Sequence, residues 1–215
     1  MAQRLHIHAT HPQPRLIRIA ADLLARGGVI AYPTDSSYAL GCRIGDVEAA
    51  RRIRELRGVD ARHHLTLVCG DLVQVGRFAR MDNRQFRVVR LGTPGSFTFL
   101  LRATDEVPRR VQHPKRSTIG IRVPDHATVK ALLAEVGEPI VSSTLILPGE
   151  IQPLNDAEVI AERIGRRIDA ILDSGPCPAL PTTVIDLAVD PPVILRSGLG
   201  NPARLGLAAA DPIPS

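Results

Sequence analysis

An apolar run, Val29-Ile-Ala-Tyr32, meets Pro33 and gives way at once to Thr34-Asp-Ser-Ser-Tyr38. Short runs of apolar and β-branched residues suit an interior strand, and proline closes it because it has no N–H for a ladder. Five side chains able to hydrogen-bond then follow the carboxyl end of that strand, where open α/β sheets bind their ligands. Taken alone, the segment also reads as an ordinary turn rich in Asp and Ser.

The rest of the chain alternates helical and extended patterns with no break in composition. Pro14 followed by Arg15–Arg26 predicts a helix with Leu16, Ile19, Ala20, Leu23 and Leu24 on one stripe, stopped by Gly27-Gly28. Asp46 predicts an N-cap for a helix running to Arg57, with Ala49, Ile53 and Leu56 buried. Further helices are expected at 71–78, 83–90, 127–136 and 157–168. Strands are expected at 5–7, 29–32, 65–69, 96–102, 118–123, 140–146, 183–187 and 193–196. One domain over 1–207 and a disordered tail at 208–215 follow from size and pattern.

Composition narrows the function classes. No apolar run approaches the ~18 residues of a membrane span, and the N-terminus lacks the apolar block of a signal peptide, so a cytoplasmic protein is expected. Cys42, Cys69 and Cys177 are far apart and form no Cys-x-x-Cys pair, which favours reduced thiols over a zinc site. His6, His8 and His11 have the spacing of a metal clip but belong to a solvated terminus, and no metal site is assigned. The net charge is +5, carried almost wholly by arginine, with lysine only at Lys115 and Lys130. Guanidinium forks match phosphate oxygens, so this bias suits a nucleotide or nucleic acid, although a GC-rich genome also favours arginine codons.

The sequence lacks Gly-x-x-x-x-Gly-Lys-Ser/Thr, Gly-x-Gly-x-x-Gly after a strand, and Gly-x-Ser-x-Gly. Expected strands end instead in hydroxyls or arginine: Thr34 to Tyr38, Thr98, Arg122, Ser142-Ser143-Thr144, Thr182-Thr183 and Arg196. Converging on one cavity, they would offer neutral donors to a small polar ligand and guanidinium to its phosphates.

Six blocks, Tyr32-Pro-Thr-Asp-Ser-Ser-Tyr-Ala-Leu-Gly-Cys42, Pro94-Gly-Ser-Phe-Thr-Phe-Leu-Leu101, Ile119-Gly-Ile-Arg-Val-Pro124, Pro139-Ile-Val-Ser-Ser-Thr144, Pro181-Thr-Thr-Val-Ile-Asp186 and Ile194-Leu-Arg-Ser-Gly198, occur in the order of one family. The chain resembles the YrdC-like family of threonylcarbamoyl-AMP synthases. Gly92-Thr-Pro-Gly95, Glu106-Val-Pro-Arg-Arg110, Lys115-Arg-Ser-Thr-Ile-Gly120 and Leu145-Ile-Leu-Pro-Gly149 resemble its YciO branch. The resemblance implies a YrdC/RibB-like α/β fold: a twisted, open mixed sheet with helices packed around it and a large basic concave cavity. It further implies a link to tRNA t6A modification, through a synthase joining L-threonine, bicarbonate and ATP with magnesium, and binding of double-stranded RNA. By the same resemblance Thr34 and Thr183 would meet threonine, with Tyr38, Thr98 and Arg122 in the same pocket. Ser142 and Thr144 would lie beside ATP or AMP, Arg196 near its phosphates, and Arg54 and Arg57 close by. No tightly bound cofactor and no catalytic residue is assigned.

Two departures stand out. Where the family's synthases carry a lysine-x-arginine pair, this chain has Arg57-Gly58-Val59, and a serine-x-asparagine is replaced by Thr144-Leu145-Ile146. Losing one charged phosphate contact in a desolvated site costs ~2 to 4 kcal/mol, so weakened synthase chemistry is expected unless Arg54 or Arg62 compensates. Three readings follow. One is a nucleotide- and RNA-binding protein with Arg51, Arg109, Arg110, Lys115 and Arg116 as phosphate contacts. Another is an active synthase of the nucleotidyltransferase type. The third is a nucleotide or acyl-adenylate hydrolase using His63 or His64 as base.

Overall fold

The computed structural model describes residues 1–207, and the tail at 208–215 lies outside the described residues. The expected periodicities resolve into helices α1 (Pro14–Ala25), α2 (Val47–Arg57), α3 (Leu72–Phe78), α4 (Asn83–Gly92), α5 (Ala127–Val136) and α6 (Ala157–Ile164). The strands are β1 (Gln3–His6), β2 (Ile30–Tyr32), β3 (Ala39–Arg43), β4 (Thr66–Val68), β5 (Ala79–Arg80), β6 (Phe97–Ala103), β7 (Thr118–Arg122), β8 (Ile140–Thr144), β9 (Ala170–Asp173), β10 (Thr183–Asp186) and β11 (Val193–Arg196).

Local chemistry sets the ends. The Asp46 carboxylate accepts from the Ala49 N–H at 2.9 Å, as an N-cap should. At the other end of α2, Gly58 takes φ 64°, its N–H bonds Glu55 and the Val59 N–H reaches the Arg54 carbonyl at 3.0 Å. This is a Schellman stop, closed by the main-chain N–H groups of Gly58 and Val59. α1 buries Ile17, Ala20 and Leu24, with Leu16, Ile19 and Leu23 flanking the stripe. The expected helix over 157–168 ends at Ile164, and β9 starts soon after.

Strands β3, β5 and β9 were absent from the sequence expectation. Ala39-Leu-Gly-Cys42 is poor in β-branched residues, but a residue with a Cβ at Gly41 would meet the Tyr32 ring at 2.7 Å. The strand carries glycine because an aromatic ring crosses its face.

The strands form a single sheet in the order β1-β9-β2-β3-β8-β4-β7-β6-β10-β11, with β5 on β6, mixing parallel and antiparallel pairs. One face is buried under α2, α3, α4 and α6, where Phe97, Phe99, Leu101, Ile119, Ile121 and Ile185 pack with Ile53, Val75, Val89 and Ile160. The opposite face is covered by α1 and α5 only over β1, β9, β2 and their neighbours. Beyond that cover it carries Thr66, Thr98, Leu100 and Val184, with Thr182 just ahead of β10. A partly covered face is what creates the cavity.

Candidate functional site

Alternation along β6 and β10 builds the floor of a cavity of about 400 Å³. Thr98 and Leu100 project from one strand, and Thr182 and Val184 from beside it, because Thr98 and Val184 are register partners. The walls are Arg62, His63 and His64 before β4, Ser143 and Thr144 at the end of β8, and Leu195 and Arg196 on β11.

The arginines are held from within the protein. Arg196 donates from Nε to the Thr182 carbonyl and from Nη2 to the Thr182 hydroxyl, which also pairs with the Thr98 hydroxyl at 2.8 Å. Arg57 donates from Nε to Ser143 Oγ at 3.2 Å and from Nη1 to the Ile146 carbonyl. Burial, with Arg196 nearby, pulls the Arg57 pKa down to about 10, and burial also lowers that of Arg196. Among the described residues neither guanidinium, nor that of Arg62, forms an ion pair, so this cavity wants an anion. His63, half-buried and close to Arg57, His64 and Arg196, is held neutral with its pKa down at about 4. His64 is lowered similarly, first by burial and then by His113. Its Nε2 bonds the Thr118 hydroxyl at 3.0 Å.

Several expected contacts lie elsewhere. The Thr34 hydroxyl donates to the Ser37 carbonyl at 2.7 Å and accepts from the N–H groups of Ser36 and Ser37, so it locks its own turn. Tyr38 is buried with its hydroxyl on the Gly175 carbonyl at 3.0 Å. Ser142 is closed off by the Tyr32 hydroxyl at 2.6 Å. Thr183 points to the face opposite the cavity and fixes the following loop by donating to the Gly200 carbonyl and accepting from the Gly198 N–H. The cavity hydroxyl is that of its neighbour Thr182, since one step along a strand reverses the face.

Arg122 is no free fork either. Its Nη2 lies 2.5 Å from Asp35 Oδ1, and Asp35 also accepts from Ser96 Oγ at 2.9 Å. Arg54 sits behind the wall with Nη2 on the Arg110 carbonyl at 3.3 Å. Arg51 is neutralised on the outer face of α2 by Glu48 and Glu55, which removes it from the free cations. Thr98, Thr144 and Arg196 do come together at the cavity, and Arg57 reaches its wall through Ser143. Thr66, Leu100 and Val184 were missed, although period-2 alternation from Thr98 and Thr182 reaches the last two.

The donors facing the cavity are hydroxyl, imidazole and guanidinium, and no group of three metal-ligating side chains occurs among the described residues. Cys42, Cys69 and Cys177 are free and buried, with burial pushing their thiols up to about 12, 12 and 11. Among the described residues no helix is long and apolar enough to cross a membrane.

Residues 22–198 match the Sua5/YciO/YrdC domain family, described as telomere recombination. The chain belongs to this family. It is 45% identical to YciO of Escherichia coli over 94% of this chain and 98% of the relative. The E. coli YciO crystal structure superimposes with a TM-score of 0.93 at 44% identity, covering 95% of this chain and all of that one. A threonylcarbamoyl-AMP synthase of Halorhodospira halophila is 32% identical over 74% of this chain and 83% of the relative. Sua5 of Pyrococcus abyssi, complexed with L-threonine, matches with a TM-score of 0.84 at 28% identity, over 91% of this chain and 57% of the other. Membership and the twisted α/β architecture thus agree with what the motif order implied.

Proposed function

We propose that the cavity binds a nucleotide, ATP or AMP, and that synthase chemistry is weakened or changed. One observation carries this reading: Arg196 in the cavity wall, and Arg57 bonded to the wall residue Ser143, are fixed by internal hydrogen bonds yet lack a carboxylate partner among the described residues. Phosphate oxygens complete such a pair of forks. The hydroxyls of Thr98, Thr144 and Thr182 suit the sugar or an amino-acid substrate such as L-threonine, and Leu100, Val184 and Leu195 offer an apolar wall. Weakened synthesis is supported at both departures. The alkyl side chain of Val59 can offer a phosphate no charged contact, and at residue 146 it is the main-chain carbonyl that holds Arg57.

The test follows pyrophosphate release from ATP with magnesium, bicarbonate and L-threonine. AMP should bind, while threonine-dependent release stays ~100-fold or more below that of a family synthase. Release at the synthase's level would instead make this chain an active threonylcarbamoyl-AMP synthase. Duplex RNA is proposed as a further partner, its phosphates met by Arg109, Arg110 and Lys115. The chain is only 3% aromatic, which favours shape recognition over base stacking.

The placement of His63 favours a second reading, hydrolysis of an acyl-adenylate. Water would add to the acyl carbon, its proton passing to His63, and the acyl–phosphate bond would break to release AMP and the acid. A phosphate between Arg57 and Arg196 would offset their charge and raise the His63 pKa towards the working range. Unchanged hydrolysis by a variant lacking both His63 and His64 would remove this reading.

A further inference from the structure

A second concavity, of about 680 Å³, lies on the same sheet face, one step further along β6. Alternation that puts Thr98 and Leu100 under the first cavity puts Arg102 under this one. Its direct antiparallel partner on β5 is Arg80, and like charges facing each other across a ladder destabilise the pair. Arg80 is relieved by Asp105 at 3.2 Å, but among the described residues Arg102 forms no ion pair.

A third guanidinium is aimed by a buried carboxylate. Arg116 lies 2.7 Å from Asp186, whose side chain is only 3% exposed. Arg109 adds a fourth, exposed and without an ion pair among the described residues. The wall that carries it is the connection 104–117 between the antiparallel neighbours β6 and β7, which a turn of two to five residues could have joined. This connection is ordered: Val107 and Val111 are buried, Gln112 Nε2 donates to the Val107 carbonyl at 2.7 Å, and Ser117 holds φ 50°. Long ordered connections of this kind carry function more often than spacing. Where the two cavities meet, the rings of His113 and His64 stack with centroids 4.5 Å apart.

We propose that this groove is a second anion site, taking a compact oligophosphate such as the polyphosphate end of a nucleotide or inorganic tripolyphosphate. It goes beyond the nucleotide reading of the first cavity and does not depend on it. Of the four guanidinium groups, Arg80 and Arg116 are paired with Asp105 and Asp186, and among the described residues Arg102 and Arg109 form no ion pair. A groove of about 680 Å³ has room for linked phosphates that give each of these two forks its own oxygens.

Calorimetry with inorganic tripolyphosphate on the full chain at low salt tests this. Binding should weaken at least ~10-fold in Arg102→Ala and further in the Arg102→Ala, Arg109→Ala double variant. AMP affinity should be unchanged in Arg102→Ala. The Arg57→Ala, Arg196→Ala variant should keep tripolyphosphate binding and lose AMP. The histidine ring signals of His113 and His64 should shift on titration in the wild type. No tripolyphosphate binding, binding indifferent to Arg102 and Arg109, or binding lost with Arg57 and Arg196 would each overturn the site. Duplex RNA that binds through Arg102 with no competition from tripolyphosphate would also overturn it, in favour of a polymer surface.

Discussion

Arg196 donates twice to Thr182, from Nε to the carbonyl at 3.0 Å and from Nη2 to the hydroxyl at 3.2 Å, so its guanidinium is oriented before a ligand arrives. Lysine at this position keeps the charge but cannot make both bonds while pointing at a phosphate. Arg196→Lys is expected to bind AMP ~10-fold more weakly, consistent with one charged hydrogen bond. Calorimetry with wild-type affinity for this variant would show that orientation contributes nothing.

The Gly41 position has no room for a methyl group, since an added Cβ lies 2.7 Å from the Tyr32 ring and 3.0 Å from Ile140. Gly41→Ala should lower stability by ~1 to 3 kcal/mol through overpacking. The Tyr32 hydroxyl that caps Ser142 would be displaced with its ring. Urea denaturation measures the loss, and an unchanged midpoint would contradict the packing described for β2 and β3.

The buried pair of Asp35 and Arg122 separates a structural arginine from the binding arginines. Removing the charge of Asp35 leaves Arg122 buried with no counter-ion, and Arg122 Nε has no partner at all among the described residues. Asp35→Asn is expected to cost ~3 to 5 kcal/mol. In chemical denaturation, a loss under ~1 kcal/mol would mean that Arg122 finds solvent or another anion.

Acid should destabilise the protein through His63 and His64. Both imidazoles sit at about 4 in the fold, against an ordinary value of 6.5, because burial penalises their charged form. Between those values the unfolded chain binds more protons, so stability rises with pH. The contribution is complete above pH 6.5 and is lost as pH falls towards 4. Urea midpoints should therefore drop between pH 7 and 4.5, less steeply in a His63→Gln, His64→Gln variant. Equal slopes for the two proteins would contradict this.

Much of the fold was legible because caps and periodicities agree with it. Asp46, Gly58 and Gly137 mark helix ends chemically, and the apolar stripe of α2 follows from sequence alone. β3 and β9 were not legible for opposite reasons. β3 is built of small residues chosen by the Tyr32 ring, a contact made only in three dimensions. β9 lies in a stretch whose helical pattern continues past Gly165.

The candidate site was legible as a set of segments and not as side chains. Motif order identified the strand ends, yet Thr183 and Ser142 turned out to face away or to be capped, with Thr182 and Ser143 at the cavity instead. Strand register decides which of two adjacent hydroxyls faces a ligand, and register depends on pairing partners. Charge was equally hard to read: Arg51, Arg122 and Arg196 look alike in the sequence, but of the three Arg196 alone has no carboxylate partner among the described residues.

The most direct measurement is calorimetric titration of AMP into the wild type and into Arg57→Ala, Arg196→Ala. The two fixed guanidiniums, without an ion pair among the described residues, predict saturable binding to the wild type, weakened ~100-fold or more when both are removed. Absence of AMP binding to the wild type, or equal affinity in the two proteins, would contradict the account.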